Sequence, residues 1–287
     1  MARFIVWTRG QAAAVLTGIA LLASAAAVLM TLLFYPGQAQ EAAVAAFAEF
    51  SYTVETPVPV VDTSLRVEVV RSTQEPPMTG KRVLIYHTHT WEAFEQEAGN
   101  RYQETEKWRS KDVAFNMITV GNALTHALEA LGCTVVHDET AFEPPDLSTA
   151  YQRSLEMLER RQAAGEHYDL YIDLHRDAVA SASTLKRTVN VAGEEIARFM
   201  VLVGKGQGYT EKPDWQANYA VAEKLTQSLN KQVEGLCRDI KVKTGRFNQH
   251  IAPCCVLIEC GLNYNTLEEV LRGIPYLAQA INETLAQ

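Results

Sequence analysis

RVLIYHTHTWE, residues 82–92, joins a short apolar run to a cluster of ionisable side chains. Val83-Leu84-Ile85-Tyr86 has the length and composition of a buried strand. His87, His89 and Glu92 follow where such a strand gives way to a loop, and in α/β sheets ligand-binding groups collect at the carboxyl ends of strands. His89 and Glu92 are three residues apart, so one turn of helical backbone puts both on one side, able to grip one ion. The stretch predicts half of a zinc site at a strand end.

Working outward, strands and helices alternate. Lys111 to Leu131 is predicted helical, with Val113, Met117, Val120, Leu124 and Leu128 apolar at near-helical spacing and Gly132 as the stop signal. Thr134 to His137 reads as a short strand. Leu147 to Gln162 reads as an amphipathic helix with Asp146 as its N-cap. Tyr168 to Leu174 and Arg198 to Gly204 read as strands, Asp214 to Glu234 as a long helix, Cys254 to Cys260 as a buried strand and Thr266 to Gln287 as the last helix. Asn263 and Asn265 are the expected caps of that helix. The alternation predicts a three-layer α/β fold with a mostly parallel sheet flanked by helices. A hairpin over Lys186 to Val203, turned at Ala192-Gly193, would make the sheet mixed.

The second half of the site is Tyr171-Ile172-Asp173-Leu174-His175-Arg176-Asp177. Side chains alternate faces along a strand, so Asp173 and His175 share one face. Two histidines from different strand ends plus one carboxylate make three zinc ligands with a fourth position open, the pattern of a catalytic site. Val256-Leu257-Ile258-Glu259 adds an acid at the end of a buried apolar strand, where an unpaired carboxylate is costly. Beside zinc-bound water such an acid takes a proton and returns it to a leaving amine. His87 is a ligand candidate by type but stands two before His89; it is read as bonding a ligand or a backbone carbonyl. Asp173 is read as an acid orienting a histidine. Arg176 either holds a developing oxyanion, binds a substrate carboxylate, or pairs with Asp173 or Asp177. Arg109 and Asp112 read as a helix-start ion pair, Trp91 and Tyr102 as packing or groove residues, and His250, near Arg246 and Gln249, as a surface or substrate-facing ring.

The chain has 287 residues and a formal net charge of −8, which argues against nucleic-acid binding. Ala12 to Tyr35 is a 24-residue run without charge, long enough as a helix to cross a ~30 Å hydrocarbon core. Arg3 and Arg9 precede it, which places the N-terminus in the cytoplasm and the body outside. A cleaved signal peptide is the alternative, though its apolar core is normally ~7–15 residues. Residues 1–35 are thus the cytoplasmic stub and membrane helix, residues 36–80 a proline-rich linker with one edge strand over Ser64 to Val70, and residues 81–287 the catalytic domain. The five cysteines, an odd count without paired spacing, suggest no disulfide framework.

HTHTWEAF, RSKDVAFNMITVG, IDLHRDA, GRFNQ and LIECGLNYNTLEE together resemble the stage II sporulation protein P family over about residues 80–287. The resemblance implies a membrane-anchored, zinc-dependent cell-wall hydrolase of the N-acetylmuramoyl-L-alanine amidase type, also linked to cleavage of stem-peptide cross-links. It implies work with stage II sporulation proteins D and M at the outer face of the membrane during forespore engulfment. Carried over, His89 and His175 match the zinc histidines and Glu259 the catalytic acid. The remaining ligand is Glu92, by likeness to the His-x-x-Glu pattern of zinc carboxypeptidases, or Asp112, at the place from which broader zinc amidases take an acid. A peptidase acting only on stem peptides and a non-enzymatic wall-binding module are the alternatives.

Overall fold

A computed structural model describes residues 80–98, 101–180 and 183–286, all within the unit Ser72–Gln287. The expected membrane helix and linker strand lie outside the described residues, among which no helix is long and apolar enough to cross a membrane.

The described residues hold eight strands: β1 (Arg82–Tyr86), β2 (Thr134–His137), β3 (Leu170–Asp177), β4 (Thr188–Val191), β5 (Glu194–Ala197), β6 (Phe199–Gly204), β7 (Lys241–Lys243) and β8 (Cys255–Leu262). Four helices accompany them: α1 (Met117–Ala130), α2 (Ala150–Ala163), α3 (Trp215–Gln232) and α4 (Leu267–Leu285). The main sheet runs β2-β1-β3-β8-β6-β7, parallel except where β6 meets β8.

Strand alternation divides the core. Val83, Ile85, Ile172, Leu174, Val256 and Ile258 face α1, α3 and α4 in the larger cluster. Leu84, Tyr86, Tyr171 and Cys255 face α2 with Leu158 in the smaller one. The result is three layers, with α2 alone on its side of the sheet. By the same alternation Asp173, His175 and Glu259 project toward the α2 layer.

Several expectations are corrected. The first helix starts at Met117, not Lys111: Asn116 has extended backbone and its side chain accepts from the Ile118 N–H, while Val113 is exposed. The hairpin does form at Ala192-Gly193, both with left-handed φ, but as a separate two-stranded sheet; the main sheet is mixed through antiparallel β6. α4 is capped by Thr266 in a reciprocal box with Glu269, and Asn265 supports the box by donating to Glu269 at 2.7 Å. Asn263 instead accepts from the Val179 N–H at 2.9 Å. β7, three exposed residues, had no sequence signal. All five cysteines are free.

Candidate active site

Register brings the distant segments together. β1 pairs with β3 so that Tyr86 opposes Asp173, and β3 pairs with β8 so that His175 opposes Glu259. All three strands are parallel, so their carboxyl ends form one edge. The register shifts by one residue between the pairs His175–Glu259 and Asp177–Leu262, the extra residue lying on β8 beside the site.

The loop after β1 is pinned to β3. Asp173 accepts from the Thr88 N–H at 2.8 Å and from the Thr88 hydroxyl at 2.7 Å. The Glu92 N–H donates to the His89 carbonyl at 3.2 Å, closing the turn that puts these two side chains on one side. Glu92 reaches β3, where its Oε2 accepts from the Arg176 N–H at 3.0 Å and lies 3.5 Å from His175 Nδ1. His175 Nε2 lies 2.8 Å from Asp173 Oδ1 but off the line of a hydrogen bond. The His89 and His175 rings stand 5.3 Å apart, edge to face. His89, Glu92, His175, Asp173 and Glu259 therefore meet at one sheet edge.

Asp112 does not join them. It is exposed, and its carboxylate accepts from the Ala114 N–H at 3.1 Å in a local turn. Arg109 does not pair with it; its guanidinium lies 2.5 Å from Glu143. Arg176 pairs with neither Asp173 nor Asp177: its Nη2 donates to the Trp108 carbonyl at 3.0 Å, and Asp177 is taken by Arg238 at 2.9 Å. His87 touches neither histidine of the edge; its Nδ1 donates to the carbonyl of Leu174, next to His175, at 2.9 Å. Its Nε2 meets His137 at 2.7 Å.

Two residues were missed from sequence. Glu143 is almost fully buried, accepts from the Trp91 N–H at 2.9 Å and lies 3.6 Å from His89 Nδ1. Nothing in its local sequence, a loop before two prolines, marks it. Tyr151, in the first turn of α2, sits edge-on to His89 at 5.5 Å and parallel to His175 at 6.4 Å. Its place follows from α2 covering this face, which no local pattern declares.

The electrostatics separate the carboxylates. Burial drives the Glu259 carboxyl up, helped by the charge of Glu92 and only partly opposed by His175. Burial would also raise Glu92, but its contacts with His175 and the nearby Arg176 hold it below the usual range. Burial would lower His175, yet Asp173 and Glu92 raise it well above an ordinary imidazole. Burial, with Asp173 and Glu259 nearby, keeps the Tyr151 hydroxyl protonated. Two carboxyls of one site with opposed tendencies are the arrangement from which acid–base roles are drawn.

Among the described residues no three His, Cys, Asp or Glu side chains are gathered tightly enough to form a ready metal cage. The donor chemistry nevertheless fits a divalent cation. His89 Nδ1 and Glu259 Oε2 are buried without a hydrogen-bond partner. The 3.5 Å between His175 Nδ1 and Glu92 Oε2 is near the roughly 3.4 Å expected of two ligands held ~2.0–2.1 Å from one tetrahedral zinc. The acid beside the other nitrogen of His175 is the usual companion of a metal-binding imidazole.

The model of the stage II sporulation protein P family matches residues 54–282. The chain belongs to the stage II sporulation protein P family. The match begins inside the stretch read above as linker. A search of curated proteins gave no match. Among solved structures, N-acetylmuramoyl-L-alanine amidase AmiC2 of Nostoc punctiforme is 16% identical, with 72% of this chain and 96% of that one covered and a TM-score of 0.44. The CwlD amidase of Clostridioides difficile, in complex with the GerS lipoprotein, is 15% identical over 71% of this chain and 94% of that one, with a TM-score of 0.45. The catalytic domain of CwlV, an N-acetylmuramoyl-L-alanine amidase from Bacillus (Paenibacillus) polymyxa, is 15% identical over 72% and 96%, with a TM-score of 0.43.

Proposed function

We propose that this chain is a zinc-dependent peptidoglycan hydrolase that cleaves the amide between N-acetylmuramic acid and L-alanine. The observation that carries the reading is the pairing of His175 with Glu259 across parallel strands, with His89 and Glu92 on the same edge and a Glu259 oxygen left buried and unpartnered. His89, Glu92 and His175 are the residues that would hold the metal. Zinc bound there would polarise the amide carbonyl and lower the pKa of its water to about 7.

The chain's own groups supply the rest. Glu259, which burial makes a better proton acceptor than an ordinary carboxylate, takes the proton of the attacking water and delivers it to the departing amine. Asp173 holds the His175 ring from behind and also fixes the β1 loop through Thr88, so one carboxylate sets the positions of both histidine-bearing segments. Tyr151, kept protonated, offers a hydroxyl on the same face.

Ala12 to Tyr35 is proposed as the anchor that leaves the catalytic unit outside the membrane, where the family resemblance supplies stage II sporulation proteins D and M as partners and engulfment as the setting. The test is mass spectrometry of purified sacculi digested by the full chain, with and without a chelator. The reading requires glycan strands freed of intact stem peptides, and loss of that product with chelator. Products cut only within the stem peptides would replace it with the peptidase reading.

A further inference from the structure

Two cavities of about 370 Å³ border the proposed catalytic edge, and they differ in how their cations are engaged. One is lined by Trp91, Glu106, Arg109, Lys111, Glu143 and Leu147. Its recessed guanidinium, Arg109, is taken by Glu143 at 2.5 Å, and its lysine is exposed over the Trp91 ring. The other is lined by Tyr151, Tyr209, Gly245, Arg246, Phe247 and Asn248 among others, and shares Tyr151 with the histidine pair. There the Arg246 side chain is only 20% exposed, yet its guanidinium donates no hydrogen bond among the described residues. It lies over the Tyr209 ring at 4.8 Å, and among the described residues its one ion-pair partner, Glu211, is 4.0 Å away and 71% exposed.

The loop carrying Arg246 is held in place. Phe247 and Asn248 both take left-handed backbone, with φ of 49° and 51°. Asparagine visits that region readily and phenylalanine does not, so surrounding contacts must impose it. Asn248 donates to the Tyr151 carbonyl at 2.8 Å and to the Ser154 hydroxyl at 3.0 Å, tying the loop to α2. Gln249 clamps β6, accepting from the Gly204 N–H at 2.8 Å and donating to the Leu202 carbonyl at 2.9 Å. Gly204 permits the approach, because a Cβ there would stand 2.5 Å from the Gly245 carbonyl.

We propose that this cavity is the subsite for a carboxylate on the peptide arm of the substrate, read by the Arg246 fork. The proposal rests on the hydrolase reading above. In the bond to be cut, the lactyl carboxyl of the sugar is already spent in the amide, and the N-acetylated sugar is neutral. Free carboxylates lie on the peptide side. A fixed, open guanidinium is suited to bidentate carboxylate binding, which a lysine does not reproduce. Tyr151, standing between the cavity and His89, sets the peptide arm on the Arg246 side of the scissile bond.

The test uses the zinc-loaded full chain carrying Glu259→Gln, titrated calorimetrically with two soluble muropeptide fragments that differ only in a free acid or its carboxamide. The acid is expected to bind about tenfold tighter or more, a difference of about 1.4 kcal/mol. Adding Arg246→Gln should bring the ratio close to one, and Arg246→Lys should restore part of it. Glu211→Gln, which removes the competing carboxylate, should raise the ratio. No acid preference, a ratio that survives Arg246→Gln, or one that Glu211→Gln leaves unchanged or lowers, would overturn the subsite. Incubating the chain that retains Glu259 with the acid fragment tests the underlying reading separately. Cleavage without any role for Arg246 removes only the subsite; an Arg246-dependent ratio without cleavage removes only the hydrolase.

Discussion

Gly121→Ala should destabilise this protein, although alanine is the better helix former. Gly121 lies within α1, and in an open helix the exchange would gain about 1 kcal/mol. Here the new Cβ would stand 2.4 Å from His137 Nε2 and 2.7 Å from His87 Nε2, on top of the contact that joins the two rings. Neither ring is free to retreat. His87 Nδ1 faces the Leu174 carbonyl, a pure acceptor, at 2.9 Å, and so must donate. Its Nε2 then accepts from His137, whose other nitrogen lies 3.0 Å from the Asn122 amide. Overpacking at such a site costs about 1–3 kcal/mol. Parting a buried donor from its acceptor costs a further 1–3 kcal/mol or so. Set against the propensity gain, the net loss is about 3 kcal/mol, or a melting point lowered by roughly 6–12 °C for a domain of this size. Urea unfolding followed by near-ultraviolet circular dichroism measures it, with His137→Ala as the control background. Removing the His137 ring takes away the closest contact, so Gly121→Ala should cost at least about 1 kcal/mol less there. A neutral or stabilising Gly121→Ala in the parent chain would refute the packing of His87 and His137 against α1.

The same ring pair sets a pH dependence. Burial, with the His137 charge second, pushes His87 down to about 3 from an ordinary 6.5, so the unfolded chain binds a proton that the folded chain refuses; stability should fall as pH drops from about 6.5 toward 3. His87→Gln should flatten that slope in urea midpoints measured between pH 7.5 and 5. Arg109→Met leaves the buried Glu143 carboxylate without its 2.5 Å partner and should cost about 3 kcal/mol. Adding Glu143→Gln should recover most of that loss in the same unfolding assay. Thr266→Ala removes the capping box of α4 and should cost about 1 kcal/mol, read as a shift in the thermal midpoint.

The sheet was legible because its central strands are short apolar runs ending in polar residues, a pattern that buried parallel strands impose. His89, His175 and Glu259 were legible for the same reason: each ends such a run, and parallel pairing carries all three ends to one edge. What escaped was everything set by neighbours distant in sequence. The start of α1 depended on Asn116 capping it, while apolar Val113 mimicked one more helical turn. Arg109 chose Glu143, from the loop that follows β2, over the nearby Asp112. Tyr151 and Arg246 border the site because α2 and the loop before β8 pack over it, and helical or loop sequence carries no mark of which rim it will border.

The central claim is that His89, Glu92 and His175 hold a metal beside a Glu259 that moves the proton. Glu259→Gln, assayed together for bound zinc by elemental analysis and for amide cleavage on purified sacculi, tests it most directly. The account predicts about one zinc per chain, as in the parent, and turnover reduced by at least roughly a hundredfold. A variant that keeps its zinc and still frees stem peptides from the glycan at the parent's rate would contradict it.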